Sequence, residues 1–90
     1  ASLLHVPYKE LPVMISTLIP MLIKGGVFYA SFKYGNSERV EDKRFFCDMN
    51  EQRWDNLKTA INYKFNDSVW LTTHPRVDKD ITWFNVLIKF

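Results

Sequence analysis

Residues 27–32, Val-Phe-Tyr-Ala-Ser-Phe, restrict the possible folds more than any other stretch. The run is β-branched, aromatic or small and carries no charge, so it reads as a strand with two apolar faces. Such a strand needs cover on both sides, as in a parallel sheet sandwiched by helices. Gly25-Gly26 stands directly before it, and Gly25 suits the left-handed cap that ends a helix. Upstream, Leu11, Ile15, Leu18 and Leu22 recur at helical spacing, with Met14, Ile19 and Ile23 beside them. Pro12 suits the first turn of that helix, whereas Pro20 predicts a kink or an early end. The helix predicted over residues 11–23 is apolar almost all round and expects burial on more than one side. Helix, glycine turn and doubly apolar strand together make half a βαβ unit, and hence an α/β fold.

The flanking segments extend this reading. Residues 1–7 read as the end of a strand leaving a core, with Pro7 forcing His5-Val6 toward extended geometry. Residues 33–46 read as a long polar connection in which Glu38, Arg39, Glu41, Asp42, Lys43 and Arg44 form a solvated, sign-alternating run. Asp48 followed by Glu51 resembles a capping box for a second helix ending near Lys64, with Trp54, Leu57 and Ile61 as its buried stripe. Residues 68–73 and 82–90 read as two strands whose short link makes them an antiparallel hairpin.

Composition enters through size. Ninety residues hide roughly 60–65% of the surface of the unfolded chain. Yet the sequence is 47% hydrophobic, with 3 Trp, 4 Tyr and 7 Phe, which excludes disorder and implies more apolar surface than the chain alone covers. Composition thus leaves two readings of 1–90, a whole domain or a single partial domain, whose partner is then a second copy of itself or a missing N-terminal half. A net charge of +2 with interleaved acidic residues argues against a nucleic-acid module. The longest apolar stretch is too short and too proline-rich for a membrane span. Cys47, the one cysteine, rules out an internal disulfide, reads as a structural thiol and fits a cytoplasmic protein.

Chemistry-bearing residues are sparse. His5 and His74 are the two imidazoles and lie far apart in sequence, which argues against a zinc site. In open α/β sheets, ligands bind beyond the carboxyl ends of the strands. Those ends are His5-Val6-Pro7 and Lys33-Tyr34-Gly35, so Ser2, His5, Lys33 and Tyr34 form a candidate pocket rim. His5 and Tyr34 are the candidates for moving or orienting a proton there.

Ala-Ser-Leu-Leu-His-Val-Pro at 1–7, Leu-Ile-Lys-Gly-Gly at 22–26 and Val-Phe-Tyr-Ala-Ser-Phe-Lys-Tyr-Gly at 27–35 resemble the later half of class I S-adenosylmethionine-dependent methyltransferases. The similarity is to small bacterial enzymes of the tellurite-resistance and ubiquinone-biosynthesis type. Glu38-Arg39, Lys43-Arg44-Phe45-Phe46 and Thr82-Trp83-Phe84-Asn85-Val86-Leu87 resemble that group's later segments, in the same order. The resemblance implies a partial Rossmann-like sheet. Residues 1–7 would match the exit from the family's fourth strand, and 27–32, 68–73 and 82–90 its strands five, six and seven. The family order is 3-2-1-4-5-7-6, with the seventh strand antiparallel. It also implies S-adenosylmethionine as cofactor of an intact enzyme. The glycine-rich turn and acidic residue that hold that cofactor belong to the family's earlier half, so no cofactor is expected on this chain alone. The expected function is that of a C-terminal methyltransferase fragment without activity of its own, or a free-standing interaction module derived from that fold.

Overall fold

A computed structural model describes residues 3–21, 26–61, 64–75 and 80–89. They form a small α/β domain with two helices and an antiparallel sheet. Helices α1 (Leu11–Leu18) and α2 (Glu51–Lys58) accompany strands β1 (Val27–Lys33), β2 (Glu38–Glu41), β3 (Arg44–Cys47), β4 (Asn66–Pro75) and β5 (Asp80–Lys89). The main sheet has the order β1-β5-β4, with β5 antiparallel to both neighbours, and β2 and β3 form a separate hairpin.

Alternation along the strands decides what lies inside. Phe32, Phe84, Val86 and Ile88 point to one face of the sheet and are buried with Leu11 and Ile15 of α1 and Trp54 and Leu57 of α2. The expected stripe of α2, Trp54, Leu57 and Ile61, is indeed in this core. Both helices therefore cover the same face. The opposite face carries Tyr29 and Trp70, which remain 51% and 41% exposed. The expectation that the first strand is covered on both sides is thus not met among the described residues: Val27 and Tyr29 face outward.

Pro12 lies in the first turn of α1, as its missing N–H predicts. The α-helix stops at Leu18, and Pro20 falls in the following 3-10 turn, Ile19–Met21. Proline cannot donate to the carbonyl four residues back, which accounts for the early end. The wide apolar arc of this helix is only partly used, because Val13, Met14 and Met21 stay exposed. Gly25, Leu22 and Ile23 lie outside the described residues.

Four local expectations need correction. The described part of segment 1–7 is a 3-10 turn, Leu3–His5, closed by Val6 N–H donating to Leu3 O, and not a strand end. The charged run within 33–46 is the β2–β3 hairpin. Asp42 and Lys43 both have positive φ, 52° and 64°, the geometry of a two-residue primed turn. Its alternation was masked by the charges: Arg39 is fastened to Glu41 and Asp48 rather than solvated. Finally, the N-cap of α2 is Asn50, whose side chain accepts from Arg53 N–H at 2.9 Å. Asp48 is unavailable for that task, since its carboxylate is buried and taken by Arg39 and Ser37. The helix ends at Lys58 rather than near Lys64, as Ala60 and Ile61 N–H turn back to Leu57 and Lys58.

Candidate functional site

The carboxyl end of β1 gathers most of the residues singled out in the sequence. Lys33 Nζ lies 4.2 Å above the centre of the Phe46 ring and 3.7 Å from Glu41. The His5 ring packs on the same Phe46, with centroids 5.0 Å apart. A strand end and a 3-10 turn, 28 positions apart in sequence, are thus joined through one aromatic ring supplied by β3. Tyr34 turns away from Phe46 and donates its phenol proton to Glu51 at the start of α2, at 2.6 Å. Lys33 and Tyr34 share a small cleft of about 150 Å³ with Arg39, Glu41 and Asp80. His5 is not part of that cleft, and Ser2 lies outside the described residues.

Hydrogen bonding sets the proton inventory. His5 Nδ1 is 2.6 Å from the carbonyl oxygen of Phe45. A carbonyl only accepts, so Nδ1 donates the proton of this bond. Tyr34 is pushed above the usual phenol range, first by its hydrogen bond to Glu51 and then by burial and the nearby negative charge. It therefore stays protonated near neutrality. The same bond holds the Glu51 carboxyl below its usual range. Of the two proton-handling candidates, His5 is held through Nδ1 on Phe45 O and Tyr34 through its phenol on Glu51.

Behind this rim lies a cluster that sequence reasoning missed. Asp48 is 6% exposed; its carboxylate accepts from Arg39 and from Ser37 Oγ, and its backbone carbonyl accepts from Arg53 Nε at 3.1 Å. Arg53 stacks on the Tyr8 ring at 4.2 Å, while the Tyr8 hydroxyl donates to Arg53 O. The turn at Gly35 packs directly on Asp48: a Cβ at Gly35 would lie 2.5 Å from the carboxylate oxygen. Cys47, beside it, is buried, and burial pushes its thiol pKa up, so it serves as core rather than nucleophile.

The uncovered sheet face holds a second, shallower feature of about 720 Å³. Asn85, 3% exposed, is its polar centre. Its Oδ1 accepts from Tyr29 OH and Ser31 Oγ at 2.7 and 3.0 Å, and its Nδ2 donates to Trp70 O and Thr72 Oγ1. A polar residue between Phe84 and Val86 was the available signal for this network. Its position in an apolar strand demands partners on the opposite face.

No family model matches the chain, and no curated protein matches it either.

Proposed function

We propose that this chain is the C-terminal part of a class I S-adenosylmethionine-dependent methyltransferase fold and that it does not catalyse methyl transfer by itself. The observation that carries the proposal is the strand order. The sheet runs β1-β5-β4 with β5 antiparallel to both neighbours. The family's sheet order, in which strand seven lies antiparallel between strands five and six, calls for this same arrangement. The bare sheet face supports the reading further, because an α/β sheet has helices on both sides and this chain places its two helices on one. In the intact protein, the cleft shared by Lys33 and Tyr34 would border the methyl acceptor, with His5 beside it across the Phe46 ring and either His5 or Tyr34 orienting the acceptor.

Among the described residues, the turn after β1 offers the methyl donor no seat. Gly35, the glycine that follows a strand, has the space over its Cα filled by the Asp48 carboxylate, so it offers no cradle for a ligand. Titration of the chain with S-adenosylmethionine is the direct test. The proposal expects no binding tighter than about millimolar, and micromolar binding overturns the claim of incompleteness.

A second reading, a free-standing interaction module, is favoured by one observation. Large apolar side chains stay exposed on both sides of the domain: Tyr29 and Trp70 on the sheet, and Val13 on α1 at 70%. The two readings agree on descent and differ on whether a second half completes an enzyme. Among the described residues no helix is long and apolar enough to cross a membrane.

A further inference from the structure

Strand β4 lies at the edge of the main sheet among the described residues, with β5 on its one paired side. It is ten residues long, and its central residues Val69, Trp70 and Leu71 are 39%, 41% and 46% exposed. No charged residue or proline interrupts it between Ser68 and His74. Edge strands are ordinarily blunted by one or the other, because an unpaired row of N–H and C=O groups recruits another strand.

We propose that the β4 edge pairs with the β4 edge of a second copy of this chain, so that two three-stranded sheets join into one six-stranded antiparallel sheet. The sequence of the strand selects the occupant. A two-fold axis perpendicular to the sheet keeps each residue on its own face, so a residue at the axis must oppose itself. With Trp70 on the axis, Trp70 faces the partner's Trp70 on the bare side of the sheet. Val69 then faces the partner's Leu71 on the helix side. One step further out, Ser68 meets the partner's Thr72 and Asp67 meets the partner's Thr73. Apolar residues oppose apolar ones, hydroxyls oppose hydroxyls, and no like charges meet. Centring on Leu71 instead would set Trp70 against Thr72 and Val69 against Thr73, which loses the apolar pairs. The strand is thus self-complementary about Trp70, and cross-strand pairs of this kind are the unit from which sheets gain stability. The inference is independent of the methyltransferase reading. In the family order, a missing half adds its strands beyond β1 and leaves the β4 edge as it is.

Three variants and sedimentation equilibrium test the register. The unaltered chain should show a concentration-dependent dimer. Trp70→Lys sets two ammonium groups against each other and should raise the dimer dissociation constant by about tenfold or more. Trp70→Cys should form an interchain disulfide on mild oxidation, since directly opposed strand residues have Cα atoms about 4.5–5.5 Å apart. Thr73→Cys, opposed to Asp67 in this register, should not cross-link. Cys47, at 1% exposure, does not compete. If Trp70→Lys fails to fold by circular dichroism, the cysteine pair decides alone. A monomer at several hundred micromolar, a dimer indifferent to Trp70→Lys, or equal cross-linking at positions 70 and 73 overturns the proposal.

Discussion

The indole N–H of Trp54 donates to Asp67 Oδ2 at 2.6 Å, tying helix α2 to strand β4 beneath the buried face of the sheet. Trp54 is 1% exposed with Asp67 in place, so its indole N–H depends on that carboxylate for a partner. Lys58 adds a 3.2 Å ion pair to the same oxygen. Asp67→Ala should therefore destabilise the fold by about 1–3 kcal/mol, the range for an unsatisfied buried donor. Asp67→Asn keeps an acceptor and should cost less. Urea unfolding of the two variants checks the order, and equal losses would show that the indole bond is not the contribution that matters.

Gly35→Ala should lower stability by about 1–3 kcal/mol, because the new methyl would lie 2.5 Å from an Asp48 oxygen that Ser37 and Arg39 hold in place. The cost comes from displacing that carboxylate from its partners. Thermal unfolding reads it, and an unchanged Tm contradicts the contact.

Lys43→Gly should stabilise the chain by about 1 kcal/mol. Lys43 sits at φ 64°, where an L side chain is strained and glycine is not. Asp42 followed by glycine is the favoured sequence of a two-residue primed turn. A loss of stability in chemical denaturation would contradict the turn assignment.

These residues also show what sequence could and could not reveal. The α2 stripe and the terminal hairpin were legible, since spacing alone places Trp54, Leu57 and Ile61 on one face and a short link forces β4 and β5 together. The β2–β3 hairpin was not, because Asp42-Lys43 lacks the glycine that marks a primed turn and paired charges resemble a solvated loop. The Asp48 cluster was hidden for a related reason. A carboxylate two residues before the true N-cap looks like the cap until Arg39, nine positions away, is known to fold back on it. Of the rim, sequence supplied Lys33, Tyr34 and His5, but not Phe46 as the ring that joins two of them.

The Tyr34–Glu51 hydrogen bond predicts a specific pH response. Glu51 is held below its usual pKa, so its contribution to stability is present above the unfolded carboxyl value and is lost as pH falls through the lower folded one. Tyr34 is raised, so its contribution is present below the unfolded phenol value and is lost as pH rises through the folded one. Tyr34→Phe should move the Glu51 titration, followed by NMR, back toward the ordinary carboxyl range. A Glu51 curve unmoved by the substitution would mean that the bond does not persist in solution.

The proposed place of β1, β5 and β4 within a larger methyltransferase sheet is open to a binding test. The measurement that addresses this most directly is calorimetric titration with S-adenosylmethionine of two proteins: the ninety-residue chain, and the same chain joined to the reading frame immediately upstream of Ala1. Binding at micromolar concentrations by the extended protein, and none tighter than about millimolar by the chain alone, is the expected result. Micromolar binding by the chain alone, or none by the extended protein, would contradict it.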